Sequence, residues 1–114
     1  MWVLACATLI VALGMVGVTR AAAVLARHRA EQAADLAALA AAQQIGRTAD
    51  PCTAARRISS ANGSELLRCE TFLDASGRSG TVIVVLAEQV RLPVVGDRIV
   101  IARARAGRLP AAAR

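Results

Sequence analysis

The chain has 114 residues, 56% of them hydrophobic and only 2% aromatic. That suffices for one membrane segment and one small domain of roughly 60 residues with a thin core, and leaves little room for an elaborate active site. One Trp (Trp2), one Phe (Phe72) and no Tyr supply no base-stacking platform, and the net charge of +6 comes from fourteen arginines, with no lysine, scattered along the chain. Such scatter is the pattern of GC-rich coding and a solvated surface, so no nucleic-acid partner is expected.

Met1 to Thr19 carries no charge, and Arg20 is followed by another apolar stretch, Ala21 to Ala26. This reaches the roughly 18 to 20 apolar residues that cross a hydrocarbon core of about 30 Å, and residues 1–26 are read as a transmembrane segment. Trp2 stands where an interfacial aromatic would sit, Gly14 and Gly17 are tolerated in such a helix, and Arg20 can snorkel to the headgroups. From Arg27 to about Gln44 nearly every residue is a strong helix former, so one continuous helix over about residues 2–45 is expected, its second part an alanine-rich stem over residues 27–46. Leu36, Leu39 and Ala40 form a narrow apolar stripe, and Arg27, Glu31 and Asp35 recur at four-residue spacing on another face.

Gly46 is the expected helix stop, and Asp50-Pro51 is a cap residue followed by a proline suited to a first helical turn. A short second helix follows, with Ala54, Ala55, Ile58 and Ala61 on its apolar side, Cys52 at its edge and Asn62-Gly63 as its end. Leu67, Cys69, Thr71 and Leu73 then alternate with polar or exposed positions, the period of a half-buried strand. Asp74 to Gly80 is turn chemistry, and Thr81 to Leu92 is a β-branched run with Val82, Val84, Leu86, Val90 and Leu92 on one face. Pro93 to Asp97 reads as a second turn and Arg98 to Ala106 as a third strand. The head is thus expected over residues 47–107, with a frayed, disordered tail over 108–114. The expected class is α+β: a long N-terminal helix, a short second helix and a small three-stranded antiparallel sheet.

Three cysteines divide into Cys6 in the apolar segment and Cys52 with Cys69 beyond it. The latter two can pair, stapling the head by about 3 kcal/mol in the chain-entropy picture and implying an oxidising compartment; the alternative is two separate buried thiols. A zinc site is disfavoured because the single histidine, His28, is far from both. No catalytic constellation is apparent. His28 has no nucleophile beside it, Glu31 and Asp35 lie beside arginines as solvated ion pairs do, and the serines lack a base partner. No enzyme activity, metal or cofactor is expected. Orientation signals conflict: Arg20, Arg27 and Arg29 after the span favour the cytoplasm by the positive-inside rule, whereas a cysteine bridge places the head outside.

The run Arg27-His28-Arg29-Ala30-Glu31-Gln32-Ala33-Ala34-Asp35-Leu36-Ala37-Ala38-Leu39-Ala40-Ala41-Ala42, issuing from an apolar helix, resembles the TadE/TadG-like pilus-assembly proteins, above all the short actinobacterial TadE-like group encoded beside a helicase and secretion genes. Cys52, Ala61-Asn62-Gly63, Cys69 and Arg103-Ala104-Arg105-Ala106 are similar to further features of that group. Related pilins carry a basic leader with a processing-site glycine and often a glutamate early in the mature helix. None of these stands around Met1, from which a start upstream of Met1 is expected.

The resemblance implies a pilin-like or pseudopilin-like single-pass protein of the cytoplasmic membrane with its C-terminal domain extracytoplasmic. Its partners would be the membrane, further copies or other pilin-like subunits, and secretion-machine proteins. Gly14, Gly17, Leu36, Leu39 and Ala40 are the expected helix-packing residues, and Cys52 with Cys69 the expected disulfide. The alternatives are a small membrane-anchored accessory protein whose arginine-rich helix binds an acidic partner or lipid, and a secreted domain released by signal cleavage.

Overall fold

The computed structural model describes residues 1–110 and comprises helices α1 (Trp2–Gln44) and α2 (Cys52–Ala61) and strands β1 (Glu65–Leu73), β2 (Gly80–Leu92) and β3 (Gly96–Arg108). The strands form one antiparallel sheet in the order β1-β2-β3, so the architecture is α+β as expected. The molecule is a rod with extents of 77 × 28 × 17 Å, because the N-terminal end of α1 projects beyond the sheet and α2.

Nothing between Thr19 and Gln44 breaks a helix, and α1 ends where the chain changes character. Ile45 leaves the helix with ψ 126°, its side chain fully buried, and Gly46 takes φ +75°. Gly46 is needed twice over: the left-handed backbone favours glycine, and a Cβ there would stand 3.1 Å from the Arg78 backbone of the β1–β2 turn. At the start of α2 the Asp50 carboxylate accepts the Cys52 N–H and the Thr53 hydroxyl, each at 3.0 Å, so the cap comes from the residue before Pro51. Ala54 and Ala55 are buried and Ile58 partly so. Ala61, expected on the same apolar side, is exposed at the last turn, and Ser59 occupies the buried position instead, its hydroxyl donating to the Ala55 carbonyl at 2.7 Å.

The inner face of the sheet is built from cross-strand triplets: Leu66, Leu86 and Ala102; Cys69, Val84 and Ala104; Thr71, Val82 and Ala106. Val82, Val84 and Leu86 have no exposed surface, while Val90 and Leu92 farther along the same face are half-buried. A register shift between Leu66 and Arg68 inserts one extra residue in β1, and this corrects the simple alternation read from the sequence. Leu66, not Leu67, meets the core; Leu67 sits in the irregularity about half exposed, and Leu73 is likewise exposed at the sheet end. β3 also extends past the expected strand. Gly107 and Arg108 pair with Thr81 and Gly80, and residues 111–114 of the expected tail lie outside the described residues. Cys52 and Cys69 form a disulfide that ties the first turn of α2 to the edge strand β1.

The β1–β2 turn is organised by Asp74. Its carboxylate accepts the hydroxyls of Ser79 and Ser76 and the Ser79 N–H, and the chain re-enters β2 at Gly80, where a Cβ would lie 2.3 Å from the Phe72 carbonyl oxygen. Hydrogen bonding by Ser79 first and Ser76 second holds the Asp74 carboxyl down from 3.8 to about 2. Because the folded state favours the ionised form, this stabilisation is present above the unfolded value of 3.8 and is lost as pH falls towards about 2. In acid titrations of the purified protein, Asp74→Asn is therefore expected to remove the part of the stability loss that falls in that window. Unchanged acid sensitivity would contradict the assignment.

Candidate assembly surface

α1 presents three surfaces that differ in chemistry. Its N-terminal part is apolar, and no residue of its most hydrophobic window is buried against the rest of the protein. The helix is long and apolar enough to cross a membrane. The two hydroxyls within the uncharged run are satisfied internally, Thr8 donating to the Ala5 carbonyl at 2.9 Å and Thr19 to the Met15 carbonyl at 2.8 Å, as a helix in hydrocarbon requires.

The second surface is an alanine arc on the stem. Ala26, Ala30, Ala33, Ala34, Ala37, Ala38, Ala41 and Ala42 are buried against the sheet and α2, and Ala34, Ala37 and Ala41 have no exposed surface at all. Alanine lets the backbones of helix and sheet approach closely, and the bulky partners come from Val82, Val84, Leu86 and Ile45. The packing is asymmetric: small residues on the helix, β-branched and leucine side chains on the central strand, and alanines again at Ala102, Ala104 and Ala106.

The third surface is what the alanine arc leaves outside. Leu36 and Leu39 are each 53% exposed, as is Leu25, and Ala40 lies at the boundary, partly buried. At 100° per residue, Gly14, Leu25, Gln32, Leu36 and Leu39 fall within a sector of about 60° on the side opposite the alanine arc. A Cβ placed at Gly14 or Gly17 would meet nothing within 4 Å. Leu36 and Leu39 of the stripe noted in the sequence therefore take no part in the core. They lie on one exposed face that runs from the apolar segment into the stem. The flanking charges are solvated: Arg27 pairs with Glu31 at 3.0 Å and His28 approaches Glu31 at 3.8 Å, while Asp35 stays exposed. Exposed pairs of this kind contribute about 0.5 kcal/mol or less.

One residue that sequence reasoning did not single out fastens the far end. Arg108, at the end of β3, donates from Nη1 to the Ile45 carbonyl and, at 3.5 Å, to the Gln43 carbonyl, placing a cation on the carbonyl groups at the C-terminus of α1. Its position in an alanine- and arginine-rich C-terminal stretch gave no local signal, since the partner carbonyls lie more than sixty residues away. Cys6 is free and exposed in the apolar segment. Among the described residues no group of three or more His, Cys, Asp or Glu side chains could hold a metal ion.

Residues 1–44 match the family model described as "Putative Flp pilus-assembly TadE/G-like". No curated protein and no solved structure matches the chain. The matched stretch ends on Gln44, the last residue of α1, so the similarity covers the apolar run and the alanine stem and stops where the head begins.

Proposed function

We propose that this protein is a pilin-like, single-pass membrane subunit that acts structurally in a Tad-type pilus or secretion machine, with its C-terminal head outside the cytoplasmic membrane. The observation that carries the reading is the coincidence of the pilus-assembly match with one uninterrupted helix, Trp2–Gln44, whose apolar half stays unburied and whose outward stem face is exposed in the monomer. The Cys52–Cys69 bridge supports the extracytoplasmic placement, since such bonds persist in oxidising compartments. In this reading α1 stores the subunit in the bilayer and then packs against equivalent helices. Gly14 and Gly17 permit close approach in the membrane, and Leu36, Leu39 and Ala40 extend the contact along the stem.

The test is association in membranes. Gly14→Leu and Gly17→Leu fall where a new Cβ meets nothing within 4 Å in the monomer, so the fold should be unchanged. Self-association, or co-purification with other pilus-assembly subunits, should fall, because a leucine at either site holds neighbouring helix backbones apart. Unchanged association in both variants would contradict a glycine-dependent helix contact.

A further inference from the structure

The two turns lie at opposite ends of the sheet and have opposite chemistry. The β1–β2 turn, against Gly46 at the far end of the stem, is polar and closed by the Asp74 network. The β2–β3 turn, Pro93-Val94-Val95, carries no polar side chain and reaches back to the apolar half of α1, where Val94 and Val95 border a shallow cleft with Met15, Val16, Thr19 and Arg20. Val94 is 81% exposed and adopts φ +70°, a conformation costly for a β-branched residue and ordinarily given to Gly, Asn or Asp in hairpin turns. An exposed valine held there is explained by neither turn geometry nor the protein's own core. Behind the tip stand three arginines, Arg20, Arg91 and Arg98, and one acidic residue of the turn, Asp97, which Arg91 pairs at 3.3 Å, leaving a local surplus of positive charge.

We infer that the β2–β3 turn docks into the headgroup–acyl boundary of the leaflet from which the stem emerges, so that the protein grips the bilayer with the helix and with a hairpin tip. The inference rests on the reading of α1 as a membrane span. The uncharged run ends at Thr19, and Met15 lies one helical turn, about 6 Å, nearer the N-terminus at about 1.5 Å per residue. A tip level with Ala12 to Arg20 thus lies between the end of the uncharged run and about 10 Å below it, which spans the depth of about 5–10 Å at which amphipathic elements bury apolar side chains, and the arginines behind it lie nearer the anionic headgroups. The second contact fixes the tilt and rotation of the head on the membrane. Dislodging it would accompany extraction of the subunit into a filament.

The experiment uses the full chain in vesicles of phosphatidylcholine and phosphatidylglycerol, with Trp2→Phe as background and single tryptophans introduced by Val94→Trp, Val95→Trp, Leu109→Trp and Val11→Trp. Tryptophan at 94, or at 95 should the first variant fold poorly, is expected to show blue-shifted emission, quenching by spin labels near the top of the acyl chain and protection from aqueous iodide. Tryptophan at 109, at the far end of the sheet, should remain open to iodide. Iodide quenching at 94 and 95 equal to that at 109, with lipid quenching intact at 11, overturns the tip contact and leaves the span standing. Loss of lipid quenching at 11 overturns the span and the tip contact with it. Shielding at 94 that vanishes when the protein is diluted in lipid assigns the tip to a second copy and also overturns the proposal.

Discussion

Replacing Cys52 or Cys69 with serine is expected to cost the head about 3 kcal/mol, a large share of the stability of so small a domain. The bridge adds a covalent tie between α2 and the sheet to the short chain link at residues 62–64, and what else holds them is modest: Ala54 and Ala55 buried, Ile58 and Leu66 half-buried. β1 is an edge strand with an irregular register at Leu66 to Arg68, so it relies on that staple more than β2 or β3 does. Chemical unfolding of the full chain in detergent, with and without reductant, should show a lower midpoint for the reduced wild type and for either serine variant, with no further loss when the serine variants are reduced. Coincident midpoints would contradict a stabilising bridge. The same bond predicts that, in intact cells, an impermeant thiol reagent labels neither cysteine until the bond is reduced.

The second large effect concerns the stem, where the usual order of residue importance is inverted. Ala34→Leu or Ala37→Leu forces three extra carbons into positions with no exposed surface, facing Val82, Val84 and Leu86. Each is expected to destabilise helix–sheet docking by about 1–3 kcal/mol, because a close-packed contact cannot absorb the volume without moving the helix off the sheet. By contrast Leu36→Ala and Leu39→Ala should change monomer stability by about 0.5 kcal/mol or less, since surface positions that are not core contacts rarely do more. Amide exchange in β2 and β3 reads the difference directly: faster in the alanine-to-leucine variants, unchanged in the leucine-to-alanine ones. Equal effects would mean that the leucines contribute to the core after all.

The course of the chain was largely legible in its residues. The uncharged run, the alanine stem ending at Gly46, the Asp50-Pro51 start of α2 and the two hairpins follow from composition, caps and period. What was not legible depends on partners distant in sequence. Alternation assigned Leu67 to the core face, but one extra residue at the β1 irregularity puts Leu66 there instead, and no local residue marks it; Leu73 keeps the expected phase and is exposed because it lies at the sheet end. The stem offered leucines as its visible stripe, while the buried face is made of alanines, which fill both sides of the helix and so carry no contrast a period analysis can detect. Arg108 looked like the start of a tail because its carbonyl partners belong to the end of α1, and the apolar tip at Val94 acquires meaning only once the hairpin is seen to lie along the span. Of the assembly surface, the glycines and leucines could be named from sequence. That Gly14, Leu36 and Leu39 lie on one side of the helix required the sheet to be seen covering the other.

The central claim is that α1 is a membrane-rooted helix whose alanine side holds the head and whose outward side meets other subunits. Cysteine cross-linking on native membranes tests it most directly, with Cys6→Ser as background, the Cys52–Cys69 bridge retained, and Leu36→Cys compared with Ala37→Cys under mild oxidation. The account predicts reducible adducts, to a second copy or to another membrane protein of the assembly, from position 36 and none from position 37 one residue away. Position 36 remaining wholly monomeric and open to maleimide, or adducts from 37 in place of 36, would contradict it.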